Sequence, residues 1–205
     1  MPSRRVIIAL DGPQGSAKST IAATVIARLN SLSNQPFAIL LPVDGFLYPR
    51  KYLDSLPNYE GAYPAHWCFD AAGVRLLVNA LALGRTTTRE VIQAPRFAPV
   101  SRDSVETIVV SPEISLVFLE GEHSAYGQSP WSAFEHLVDD TWSLDDNFEV
   151  MKQRLRGKTL ESEAGKDWEN AIGRLNYGSI PDDVEMQTNA TQPAVMTRSA
   201  IGPLR

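Results

Sequence analysis

Nine consecutive residues near the start of the chain, Gly12-Pro13-Gln14-Gly15-Ser16-Ala17-Lys18-Ser19-Thr20, have the types and spacing needed to hold a polyphosphate. Glycines let the backbone wrap closely around an anion, so that successive N–H groups point at its oxygens. Lys18 is then placed to neutralise the terminal phosphates, and the hydroxyl of Ser19 can offer an oxygen to Mg2+. One residue departs from the strict pattern, which has glycine immediately before the lysine, where Ala17 stands here. If that position needs a positive φ, alanine costs about 1 kcal/mol.

Two acids could complete such a site. Asp44 lies in Leu41-Pro42-Val43-Asp44-Gly45-Phe46-Leu47-Tyr48-Pro49, at the end of an apolar run. A carboxylate at the C-terminal edge of a strand could take the proton of an attacking hydroxyl and help to organise a metal. It could equally be the first residue of an ordinary Asp-Gly turn. Glu120 closes the apolar run Leu116-Val117-Phe118-Leu119, where phosphate-loop enzymes place the acid of the Mg2+ shell, or where any strand-end acid would sit. No Asn-Lys pair occurs, so the guanine reader of GTPases is absent. Asp70-Ala71-Ala72-Gly73 matches a GTPase switch formally, but it opens a helical pattern, and helix capping accounts for it.

The elements that must position these residues alternate in type. Arg5–Leu10 reads as a buried strand, Ser19–Leu32 as a helix stopped by Asn34-Gln35-Pro36, and Phe37–Val43 as a second buried strand. A Pro- and Tyr-rich stretch, Tyr48–Trp67, is too irregular for one element, and loops of this length are usually functional. A helix capped by Asp70 and stopped at Gly84 follows. Strands are predicted at Val91–Ala94, Glu106–Val110, Leu116–Leu119 and Thr141–Leu144. Helices are predicted from Ser129-Pro130 to about Val138, over Asn147–Leu155 and over Glu161–Leu175. This alternation predicts an α/β fold, a three-layer α/β/α P-loop NTPase with a mostly parallel sheet and a short helical lid. Residues 1–187 would form the domain, with the lid at about 154–176, and 188–205 a disordered tail without periodicity.

The bulk composition sets limits. The 205 residues, 43% of them hydrophobic, suit one globular domain. A formal net charge of −5 leaves no electrostatic footprint for nucleic acid or an anionic membrane. The single cysteine, Cys68, rules out an intramolecular disulfide and a cysteine metal cluster. No apolar run approaches the roughly 18 residues that span a bilayer. A cleavable leader would have to remove the phosphate loop, so the expected compartment is cytoplasmic. The histidines His66, His123 and His136 lack metal-ligand spacing, and the tryptophans read as core and lid packing.

In order along Arg5–Asn176, the phosphate loop, Asp-Gly-Phe-Leu-Tyr-Pro, Gly61 with Phe69-Asp70 before a Leu-rich helix, Ala94-Pro95 and Leu-Glu-Gly resemble the phosphoribulokinase/uridine kinase family. The likeness is closest to its pantothenate-kinase-like and fungal uridine-kinase-like members. It implies an ATP-dependent kinase that transfers the γ-phosphoryl group to a hydroxyl of a small metabolite. Asp44 would be the base, with Lys18 and Ser19 serving phosphates and metal and Glu120 supporting Mg2+. Arg154 and Arg156 would begin a lid over the phosphates, with Lys158 beside them. Phe46, Tyr48, Arg96 and His123 are the acceptor-side candidates. The chain departs from the family in that half: Phe97-Ala98-Pro99 stands where many relatives carry Phe-Asp-Arg, and Gly121-Glu122-His123 where they show Gly-Asn-Tyr. Two rival readings follow, an NTPase or nucleotide-gated binding protein with water as its only acceptor, and a relative that no longer turns over.

Overall fold

The computed structural model describes residues 5–56, 66–83, 90–97, 105–122, 130–145, 147, 149–154 and 195–199. The predicted helix at Glu161–Leu175, the stop at Gly84, Arg156, Lys158 and His123 lie outside them.

The alternating pattern folds as a sheet with helices on both faces. Strands β1 (Val6–Asp11), β2 (Ala38–Pro42), β5 (Leu116–Glu120), β6 (Asp140–Asp145) and β7 (Val195–Ser199) form one sheet in the order β2-β5-β1-β6-β7. The β1–β5, β2–β5 and β1–β6 pairs are parallel, and only β7 runs antiparallel. Successive residues of β1 face opposite sides. Ile8 and Leu10 join Ala22 and Ile26 of helix α1 (Lys18–Asn30). Beyond the one-turn helix α2 (Arg50–Leu53), Ile7 and Ala9 join Val74, Leu77, Val78 and Leu81 of helix α3 (Ala71–Leu83). Burying both faces explains why β1 and β5 read as continuous apolar runs rather than as alternation.

Several polar groups hold the elements in place. Asn30 at the end of α1 donates from Nδ2 to the Ala38 carbonyl and accepts from the N–H groups of Phe37 and Ala38, setting the start of β2. Arg5, fully buried, donates Nε to the Ile114 carbonyl at 3.0 Å. Asp139 accepts the Ile7 N–H at 2.8 Å and Asp140 accepts the Trp142 indole N–H at 3.0 Å, so these acids serve the fold. Asp70 Oδ1 accepts the Gly73 N–H at 2.9 Å, which makes it the cap of α3 rather than a switch residue.

The structure differs from the sequence expectation in three places. The strands β3 (Ile92–Phe97) and β4 (Val105–Val110) pair with each other, antiparallel, and stay outside the main sheet. Too few residues separate them for a parallel crossover, which takes about a dozen or more. The helix expected from Pro130 is a 3-10 turn, Trp131–Leu137. Within the stretch read as a tail, residues Val195–Ser199 pair with β6 as an edge strand, and main-chain pairing needs no hydrophobic period.

The hairpin is seated directly on the turn that carries Asp44. This turn is a 3-10 segment, Val43–Phe46, and a side chain at Gly45 would run into the carbonyl of Pro95 and the amide of Arg96. Gly45→Ala is therefore expected to lower stability by about 1–3 kcal/mol through overpacking, read as a shift in denaturant midpoint with an unchanged slope.

Candidate functional site

The phosphate loop follows β1 directly. Gly12 and Gly15 take positive φ, 144° and 81°, as does Ala17, at φ 67° and ψ 21°. Alanine at 17 therefore sits in the left-handed region, in the conformation for which the pattern reserves glycine. The loop is closed by the Ser16 N–H on the Pro13 carbonyl at 3.2 Å, and α1 begins at Lys18. Lys18 is only 7% exposed. Its ammonium group donates to the carbonyls of Gly12, 2.6 Å, and Pro13, 3.0 Å, which uses two of its three protons. Thr20 lies exposed in the first turn of α1.

Ser19 in the first turn of α1 and Glu120 at the end of β5 meet. The Ser19 hydroxyl lies 3.2 and 3.3 Å from the two carboxylate oxygens of Glu120, which is 6% exposed. Hard oxygens at a helix start beside the phosphate loop suit Mg2+, which usually takes one or two protein ligands and completes its shell with phosphate and water. Among the described residues no group of three or more His, Cys, Asp or Glu side chains could hold a metal by itself. The donor set therefore fits a magnesium ion that arrives with a nucleotide.

Asp44 stands at the end of β2 with its surface open to solvent. The protein packed around it nonetheless raises its carboxyl above the usual value, opposed by the nearby Lys18 charge. Two further acids belong to the same charge cluster. Enclosure pushes Glu122 up to about 7, Lys18 pulls it down, and Asp44, Asp11 and Glu120 add to the rise. Neither Asp11 nor Glu122 was singled out from sequence. The available signal was Asp11 ending β1 before Gly12, and Glu122 following Leu-Glu-Gly with the same spacing as a strand face.

The remaining candidates are spread out. Arg154 is exposed and donates Nη1 to the Gly15 carbonyl at 3.0 Å, so the beginning of the expected lid touches the loop. A Cβ at Gly15 would come 2.6 Å from the Met151 carbonyl, which locks the helical residues 149–154 against the loop. Phe46 is packed into the core and against Gly73, facing the sheet and α3. Tyr48 lines a separate cavity of about 490 Å3 with His66, Trp67, Asp70 and Arg75, and its ring is tilted on that of Tyr52. Arg96 is exposed on β3 with its amide beside Gly45. Trp131 is buried against Phe69 and Trp142 packs on Phe118, whereas Trp67 is 43% exposed at the cavity.

The chain is 28% identical over 197 residues to a candidate uridine kinase of Schizosaccharomyces pombe, an alignment covering 94% of this chain and 83% of that protein. It is 29% identical over 117 residues to an ATP-dependent kinase-like protein of Aspergillus versicolor, covering 55% and 68%. Among solved structures, a candidate fructose transport system kinase from Silicibacter sp. TM1040 superposes with a TM-score of 0.67 at 26% identity, covering 87% of this chain and 82% of that one. The fold is that of a P-loop kinase. No family model matches the chain. The resemblance drawn from motifs agrees with the names of these relatives and with the P-loop kinase fold. Among the described residues no helix is long and apolar enough to cross a membrane.

Two outcomes follow from the site geometry. Ala17→Gly should stabilise the protein by about 0.5–1 kcal/mol, because relief of the left-handed strain exceeds the added chain entropy; thermal unfolding checks this. The second concerns Glu122, whose ordinary value of 4.5 rises to about 7 in the folded chain. Between those values the folded state keeps a proton that the unfolded state has released. Stability therefore falls as pH rises through that window, by about 2–3 kcal/mol from this group, and then levels off. Glu122→Gln should flatten that part of the profile when denaturant midpoints are compared at pH 5 and pH 8.

Proposed function

We propose that this chain is an ATP-dependent phosphotransferase that moves the γ-phosphoryl group of ATP to a hydroxyl of a small metabolite. The observation that carries the reading is Asp44, an accessible carboxyl held above its ordinary value in a cleft that also feels the Lys18 charge.

In this reading the polyphosphate lies along residues 12–20, with its charge met by Lys18 and by the backbone N–H groups at the start of α1. Ser19 and Glu120 would hold Mg2+, which supplies charge neutralisation to the phosphates. The acceptor hydroxyl approaches Asp44, whose carboxylate takes its proton as the oxygen attacks the γ-phosphorus. The bond from that phosphorus to the bridging oxygen breaks, and ADP leaves. Arg154 and Arg156 would close over the spread charge of the transferring group, at the head of a lid over residues 154–176. Of the acceptor-side candidates, Phe46 is packed in the core and Tyr48 lines a separate cavity, which leaves Arg96 and His123 as candidates for the side on which the acceptor would meet Asp44. The names of the relatives support a nucleoside- or sugar-like acceptor, and the protein would act in the cytoplasm.

Asp44→Asn is expected to reduce turnover by at least about 100-fold, the usual weight of a positioned general base, while ATP binding changes little. ADP release measured over a panel of nucleosides, pantothenate, sugars and glycerate checks this. A flat panel with wild-type protein, or a fully active Asp44→Asn variant, would rule the reading out.

A further inference from the structure

The edge of the sheet offers one more group to an acceptor than the reaction above uses. Strands β2 and β5 pair in register as far as Pro42 and Glu120. One residue further on, Val43 presses on Gly121, where an added Cβ would lie 2.6 Å from Val43 Cβ. Asp44 and Glu122 come next on their respective chains. Asp44 lies in the 3-10 turn that follows β2 and Glu122 two residues beyond the end of β5, so both acids belong to the edge where open α/β sheets bind ligands.

Glu122 is incompletely satisfied there. Its Oε1 is sealed from solvent and has no hydrogen-bond partner among the described residues, while the residue as a whole keeps accessible surface. The last torsion of a glutamate is broad and nearly two-fold, so rotation exchanges the sealed oxygen for the open one. The oxygen on the accessible side of Glu122 is left to accept from a hydroxyl of a ligand entering near Asp44. Lys18 cannot serve this purpose fully, because two of its protons are already committed to Gly12 and Pro13.

The geometry points to Glu122 as a specificity residue that, beside Asp44, selects an uncharged polyol by accepting a hydrogen bond from the hydroxyl next to the one phosphorylated. The unprotonated oxygen of a carboxyl group, neutral or ionised, accepts, so the ligand must bring the donor, and two neighbouring acids suit two neighbouring hydroxyls. An acceptor with a carboxylate or phosphate close to the reacting carbon would instead place like charge against Asp44 and Glu122. The inference rests on the phosphotransferase reading, since it assumes that the reacting hydroxyl lies at Asp44.

The test uses the full chain with Glu122→Ala and Glu122→Gln, and with D-fructose and glycerol as probes against propan-1-ol, which lacks the second hydroxyl. Binding is read by saturation-transfer NMR with a non-hydrolysable ATP analogue present, and turnover by ADP release with saturating ATP and Mg2+. Glu122→Ala should weaken polyol binding and raise the polyol KM by about 10-fold, as expected for a lost hydrogen bond to a charged group. The kcat should change far less, and the preference for polyol over propan-1-ol should collapse. Glu122→Gln, which keeps one acceptor oxygen, should fall between. The inference is overturned if wild-type protein binds neither polyol, if Glu122→Ala leaves binding and preference unchanged, or if the variant shifts only the Mg2+ requirement. Polyol binding that Glu122→Ala abolishes, in a protein that releases no ADP with any acceptor, would uphold the clamp and refute the kinase reading separately.

Discussion

The opposition between one buried ammonium group and the acids gathered at the strand ends governs the layout of this molecule. Lys18 is nearly sealed, and an isolated charge of that kind would be strongly unfavourable. Two loop carbonyls receive its protons, and Asp44 and Glu122 lie close enough to feel its charge. None of this works unless the loop turns sharply enough to bring Gly12 and Pro13 back over the start of α1. That turn requires the three positive φ values at Gly12, Gly15 and Ala17. The strain at Ala17 is thus part of the arrangement that holds the lysine, in keeping with the tendency of functional sites to retain unfavourable backbone.

Sheet order decides which acids meet the lysine. Because β5 lies between β1 and β2, the ends of three strands converge: Asp11 from β1, Glu120 and Glu122 from β5, and Asp44 from β2. A different order would have left the same residues far apart. The apolar layers on both faces supply the stability that allows several enclosed carboxyls at one edge. The hairpin β3–β4 braces the turn at Gly45 from outside the sheet, so a part of the fold with no phosphate contact still constrains Asp44.

The site has two halves that are built differently. In the loop half, local turn chemistry sets the backbone and Ser19 lies within hydrogen-bond reach of Glu120. In the strand-edge half, Glu122 carries a sealed oxygen without a partner among the described residues, and the cavity at Tyr48, Trp67 and Arg75 includes neither Asp44 nor Glu122. Chemistry can therefore be argued from the first half, and selectivity must be argued from the second.

Local physics made a large part of this legible before any coordinates. The β1 and β2 runs, helix α1, the capping role of Asp70 and the phosphate loop depend on near neighbours, and each is found within a residue or two of its expected place. The cost of alanine at position 17 was also readable, because the pattern itself specifies the backbone there. Pairing between distant strands was not readable. That β3 and β4 leave the sheet, that Val195–Ser199 adds an edge strand, and that Gly121 packs on Val43 all depend on contacts between segments well separated along the chain. The sequence by itself determined a phosphate-binding loop between a buried strand and a helix, since its turn chemistry is contained in nine residues. Only the tertiary structure decided which acids face it, because strand order brings together side chains that no local preference can place.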